Sequence, residues 1–109
     1  MSIKDKEIYA IHAEICQALT HPTRLEIIDY LRAGEKTVSE LVQAMDMPQS
    51  TISRHLRLMR KKGVVQTRRV GPNVYYRLSN ENIVGAYDLI HQFVVDHFQA
   101  QSHIFSMVS

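Results

Sequence analysis

The run Gln49-Ser50-Thr51-Ile52-Ser53-Arg54-His55-Leu56-Arg57-Leu58-Met59-Arg60-Lys61-Lys62 decides the fold. Ile52, Leu56 and Met59 recur at the spacing of one helical stripe, and Gly63 follows as a stop. With that stripe turned inward, Gln49, Ser50, Ser53, Arg54 and Arg57 are left outside. Just upstream, Thr37-Val38-Ser39-Glu40 has the spacing of a capping box. In that motif the threonine side chain accepts from the Glu40 amide while the Glu40 side chain reaches back. A short helix with Val38, Leu41, Val42 and Met45 facing inward is expected to start there and to break at Asp46-Met47-Pro48. Two helices joined by a short turn, the second basic and polar on its outer face, form a helix-turn-helix over residues 37–62.

Outward from this pair the pattern extends both ways. Ile8, Ile11, Ile15 and Leu19 recur at helical spacing, so residues 4–19 read as an amphipathic first helix. Pro22 suits the first turn of a second helix, continued by Leu25, Ile27, Ile28 and Leu31, with Gly34 placed to cap it. After Gly63 the period changes to alternation. Val64, Val65 and Thr67 suggest one strand, Val74, Tyr75, Tyr76 and Leu78 a second, and Val70-Gly71-Pro72-Asn73 the turn between them. This hairpin, residues 64–78, makes a wing that carries Arg68 and Arg69. A last helix over residues 80–105 has Ile83, Val84, Tyr87, Ile90, Val94 and Phe98 as its apolar face. The expected architecture is mainly α with a small β-hairpin wing, a winged helix-turn-helix of order α-α-α-α-β-β-α. It fills one domain over residues 1–109, which fits the single core that 109 residues can build.

Charge is segregated along the chain. Between Met47 and Asn80 there is no acid, while Arg54, Arg57, Arg60, Lys61, Lys62, Arg68, Arg69 and Arg77 all fall there. That segment is +8 and the remainder −6, although the whole is only +2. A solvated face ordinarily interleaves both signs, so the segregation points to a polyanion. Gln and Ser can read base edges, Arg can grip guanine through two parallel hydrogen bonds, and a helix N-terminus can approach a phosphate. Gln49, Ser50, Ser53 and Arg54 are therefore the candidates for base contact, and Arg57, Lys61, Arg68 and Arg69 for phosphate contact. The expected partner is double-stranded DNA.

Other classes find little support. No Gly-rich phosphate loop, His-Glu-x-x-His pair or Gly-x-Ser-x-Gly elbow is present, and four glycines leave little material for a nucleotide site, so an enzyme is not expected. Residues 1–7 lack the apolar run of a signal peptide, and no stretch is apolar for the length of a bilayer span. With a lone cysteine, Cys16, this reads as a cytoplasmic protein with no membrane partner.

Three stretches together resemble the ArsR/SmtB repressors. Ala18-Leu19-Thr20-His21-Pro22-Thr23-Arg24-Leu25-Glu26-Ile27-Ile28 is similar to their opening. Ser50-Thr51-Ile52-Ser53-Arg54-His55-Leu56-Arg57-Leu58-Met59 with Gly63-Val64-Val65 is similar to their recognition helix and its exit. Gly71-Pro72-Asn73-Val74-Tyr75-Tyr76-Arg77-Leu78 is similar to their wing, and the likeness runs without gaps from about Ile15 to Tyr87. It implies a homodimer through the first and last helices, bound to an imperfect palindrome over a promoter and released by an inducer. The apolar stripes on both terminal helices fit that implication independently, since a domain this small has limited interior to bury them.

The resemblance fails at the family's metal ligands. Where a Cys-x-Cys would follow Glu-Leu, this chain has Glu40-Leu41-Val42-Gln43-Ala44. The paired ligands of the last helix fall on Asn80, Asn82, Phe93 and Asp96, of which Phe93 cannot bind a metal and the asparagines bind zinc poorly. Asp88 and His91 lie at i and i+3 on the last helix, but Asp88, Asp96, His97 and His103 are spread around its axis and cannot converge from one chain. No cofactor is implied. His12 and Cys16, at i and i+4 on the first helix, remain as the candidate sensing pair for a metal ion or a redox effector. The plainer reading packs Cys16 as a small hydrophobe. Two rivals to an inducible repressor stand beside it, a winged helix that docks an acidic protein and a constitutive repressor without inducer.

Overall fold

The structure is a computed structural model that describes residues 5–100. Its elements are α1 (Asp5–Gln17), α2 (Pro22–Leu31), β1 (Lys36–Thr37), α3 (Val38–Met45), α4 (Gln49–Lys61), β2 (Val65–Val70), β3 (Asn73–Leu78) and α5 (Glu81–Ala100). The expected extensions of the first helix to Lys4 and of the last helix through His103 to Phe105 lie outside the described residues.

Three of the helices start where their local chemistry directs. His21 caps α2 by accepting, through Nδ1, from the Thr23 amide at 3.1 Å, with Pro22 in the first turn. The capping box of α3 is complete. Thr37 Oγ1 accepts from the Glu40 amide at 3.1 Å, and Glu40 Oε1 accepts from the Thr37 amide at 2.9 Å. The Thr37 amide lowers the Glu40 pKa, because its hydrogen bond favours the carboxylate. Asn80 begins α5 by accepting from the Asn82 amide at 2.7 Å.

The helix ends are equally specific. Asp46 takes the left-handed conformation, φ 52, and closes α3 by donating its amide to Val42. At the end of α4 the Val64 amide donates back to the Met59 carbonyl and the Gly63 amide to that of Arg60. This double closure needs the positive φ of Gly63, 80°, which L side chains rarely adopt. Gly34 is not the cap of α2, as the spacing suggested. Arg32 is, in ordinary helical geometry, and Gly34 lies in the turn beyond it.

The wing contains one more strand than expected. β1 pairs antiparallel with β3, Lys36 opposite Tyr76 and Thr37 opposite Tyr75, giving the sheet order β1-β3-β2. Two residues are too few to show an alternation, and the pairing is long in sequence, so no periodicity announces it. Thr37 thereby closes a strand and caps a helix at once. β2 and β3 pair from Val65 opposite Leu78 to Val70 opposite Asn73, leaving Gly71 and Pro72 as the tip. Val64, expected in the strand, instead ends the α4 closure and is buried.

The core is built from three helices and the start of the wing. Ile27, Ile28 and Leu31 of α2 meet Leu41 and Met45 of α3, Ile52, Leu56 and Met59 of α4, and Val64 and Val65. α1 buries none of its own residues, and only Ala18, just after it, is fully enclosed. Ile8, Ile11 and Ile15 stay 42–44% exposed, and on α5 Leu89, Ile90 and Phe93 are 59–76% exposed.

Candidate nucleic-acid interface

α4 divides cleanly into two faces. Ile52, His55, Leu56 and Met59 are buried. Gln49, Ser50, Arg54, Arg57 and Lys61 are exposed and Ser53 is half-buried. At about 100° per residue these six side chains fall within roughly 140° of arc on the side away from the core. α3 packs behind, so the pair presents α4 outward as the second helix of a helix-turn-helix. Among the described residues no ion pair engages Arg54, Arg57 or Lys61. Arg54 and Arg57 thus offer their charge without an ion-pair partner, whereas Lys61 lies near enough to Glu14 to help lower its pKa.

The wing does not present its two arginines equally. Arg68 and Arg69 are neighbours on β2, opposite Tyr75 and Val74, so period-2 geometry sends them to opposite faces. Arg69 is exposed. Arg68 Nε donates to both carboxylate oxygens of Glu35, at 3.2 and 3.1 Å, and its guanidinium lies 5.5 Å from the Tyr75 ring centroid. Glu35, distant in sequence from the acid-free segment, thus enters it in space.

Within one protomer the candidate sensing residues meet no further ligand among the described residues. Cys16 is a free, exposed thiol, and His12 is exposed on the same helix. The expectation that Cys16 packs as a small hydrophobe does not hold within one protomer, because α1 lies on the surface along its whole length. Among the described residues, no group of three or more His, Cys, Asp and Glu side chains comes together to hold a metal. Of the positions aligned with the family's last-helix ligands, Asn80 caps α5, Asp96 accepts from Gln92 at 2.8 Å, and Phe93 is exposed. Asp88 is taken by Arg32 at 2.6 Å, and His91 stacks on Tyr87 with centroids 5.8 Å apart.

Sequence reasoning missed a buried polar group behind α4. Arg24 is only 9% exposed. Its Nε donates to the Ala18 carbonyl at 2.9 Å and its Nη2 to the Gln17 carbonyl at 3.0 Å. Its Nη1 lies 3.1 Å from His55 Nδ1. A guanidinium can only donate, so Nδ1 accepts and the neutral ring carries its proton on Nε2. Burial pushes the His55 pKa down, and the positive neighbourhood of His21, Arg24 and Arg54 pushes it the same way. The signal was present. His55 lies one residue from Leu56 and four from Met59, on the inner side of the helix, where a polar residue requires a partner.

Comparison with known proteins places this geometry. Residues 21–67 match the family model described as bacterial regulatory protein, arsR family. The chain is 38% identical over 87 residues to a transcriptional repressor SmtB homolog of Synechocystis, covering 80% of this chain and 63% of that protein. It is 35% identical over 79 residues to the transcriptional repressor PagR of Bacillus anthracis, covering 72% of this chain and 79% of PagR. It spans less than two thirds of several curated relatives, 58% for SmtB of Mycobacterium tuberculosis. Among solved structures, the homodimeric winged helix-turn-helix DNA-binding domain of a Mycobacterium bovis protein superposes with a TM-score of 0.82 at 28% identity, covering 92% of this chain and 93% of that one. The crystal structure of PagR gives 0.71 at 32% identity, covering 79% of this chain and 99% of PagR.

Proposed function

The chain belongs to the arsR family of bacterial regulatory proteins, and on that premise we propose that it is a sequence-specific DNA-binding transcriptional repressor. One observation carries the reading: six suitable side chains on one arc of α4, in a segment of +8 without an acid of its own. Gln49, Ser50, Ser53 and Arg54 read base edges from the N-terminal half of α4. Arg57, Lys61, Arg69 and, in competition with Glu35, Arg68 hold phosphates. Within the helix-turn-helix of residues 37–62, α4 enters the major groove, and the wing, residues 64–78, flanks it.

Two copies pair through α1 and α5 and occupy a palindromic promoter site. The support is the apolar surface both helices leave open, most of all Leu89, Ile90 and Phe93. Ile90 also lines, with Leu19, Leu25, Ile28 and Val94, an apolar cleft of about 280 Å³ that a second copy would close. A two-fold protein suits a two-fold operator. Release by an effector, in this reading, does not run through Asn80, Asn82, Phe93 and Asp96 as a metal site.

Fluorescence anisotropy of the protein on duplex from its own upstream region, against a scrambled duplex and over a salt series, tests this. Selective binding whose log affinity falls steeply and linearly with log salt is expected. Weak binding indifferent to sequence would reassign the basic face to an acidic protein partner.

A further inference from the structure

We infer that Arg24 and His55 are positioning residues for DNA recognition, a buried link that sets the angle of α4 against α1. The inference rests on the proposed DNA-binding role.

The two helices have little else between them. α1 fully buries no residue in its own protomer, and its isoleucines are only half covered, so packing fixes its direction weakly. An ion pair joins Glu14 to Lys62, but Glu14 is largely exposed, and such pairs hold geometry weakly. The Arg24 guanidinium is different. It is enclosed, planar and used on three sides, by the Ala18 and Gln17 carbonyls where α1 ends and by the imidazole of α4. The carbonyl end of a helix carries partial negative charge, which stabilises a cation held there without a carboxylate. His21 closes the cluster from the other side, its ring centroid 4.4 Å from that of His55 and its own Nδ1 occupied in capping α2. Each partner's position is thereby fixed by the others.

The requirement for such a link follows from the operator. If α1 helps to pair the protomers, the separation and tilt of the two α4 helices depend on how each α4 is held to its α1. Half-sites lie about one helical turn apart, so a small rotation of α4 moves its side chains off their base edges while leaving phosphate attraction largely intact. The link also has a proton-dependent weak point. Protonation of His55 removes the acceptor for Arg24 and sets a new cation against Arg24 from α2, His21 from the preceding turn and Arg54 from α4 itself. Acid should then loosen α4 without altering any group on its outer face.

The test uses the duplex that wild-type protein enriches from a random-sequence pool, the same duplex with one base pair inserted at its centre, and an unselected duplex. His55→Leu keeps volume but loses the acceptor, whereas His55→Gln can restore it through Oε1. We expect His55→Leu to stay folded and dimeric, to keep wild-type affinity for unselected duplex, and to lose about tenfold or more on the selected one together with its preference over the inserted spacing. His55→Gln should recover most of both. Equal losses on all duplexes, or no loss, would overturn the inference. Should His55→Leu fail to fold, wild type and His55→Gln compared between about pH 8 and about pH 5.5 decide the matter. Selective affinity should fall in acid for wild type and hold for His55→Gln, and parallel curves would overturn the link. A wild type that enriches no duplex overturns the DNA-binding role itself, and this inference with it.

Discussion

Glu35 accepts from Arg68 Nε through both carboxylate oxygens, at 3.2 and 3.1 Å, and so ties the middle of β2 to the turn that precedes β1. The same arginine is a candidate for phosphate contact, and DNA must compete with the carboxylate for it. Glu35→Gln is therefore expected to strengthen binding to all duplexes a few-fold and to steepen the salt slope by about one, as one more phosphate contact would. Anisotropy titrations over a salt series check this. A weaker binder would mean that the pair shapes the wing more than it masks a charge.

Arg54 and Arg57 sit on one face of α4 yet should behave differently. Arg54→Ala is expected to cost about 1–3 kcal/mol on the preferred site and to relax preference at one base position. Arg57→Ala should weaken every sequence alike and make the salt slope shallower. Selection from randomised duplexes with each variant separates the two, and a uniform loss for Arg54→Ala would move that residue to the phosphates.

The exposed apolar face of α5 predicts a specific failure of assembly. Phe93→Glu places a carboxylate where the proposed interface needs apolar surface, Phe93 being 68% exposed in one protomer. Sedimentation equilibrium should report monomer for the variant and dimer for wild type, with DNA affinity lost on palindromes more than on half-sites. A dimeric Phe93→Glu protein would locate the interface elsewhere.

The capping box offers a test confined to stability. Thr37→Ala removes the acceptor for the Glu40 amide and should lower unfolding free energy by about 1 kcal/mol, with Thr37→Ser close to wild type. Urea denaturation measures it.

Stability should also fall in acid through His55. Its folded pKa lies below the ordinary 6.5, so the unfolded chain takes up the proton first as pH falls. The contribution is complete above 6.5 and is lost as pH drops from there through the folded value. Thermal melts should show a decline in Tm below 6.5 that His55→Gln reduces. Identical pH profiles for the two proteins would remove His55 as its source.

Much of this molecule was legible because its signals are local. The stripe Ile52, Leu56 and Met59, the spacing of Thr37 and Glu40, and the turn at Gly71-Pro72 each depend on residues a few positions apart, and each produced the element expected of it. What escaped was non-local. β1 exists because Lys36 and Thr37 meet Tyr76 and Tyr75, far along the chain. Arg24 looked like one more polar residue on a helix until Gln17, Ala18 and His55 surrounded it. Glu35 could not be seen in the basic segment, because only folding brings it there. Charge along a chain is not charge in space.

Thr37 ends β1 opposite Tyr75 and begins α3 as its cap, so one residue belongs to the sheet and to the helix pair together. The two ends of the hairpin are therefore under unequal constraint. Near Tyr75 and Tyr76, adding or removing a residue would shift the strand register and drag the start of α3 with it. At Gly71 and Pro72 the chain is exposed, held by its own turn and by a shallow cleft that Pro72 shares with Thr37, Val38 and Ser39. Length variation should be accepted at that tip and refused at the root, so the wing can be lengthened toward new DNA contacts while the helices behind it stay where they are.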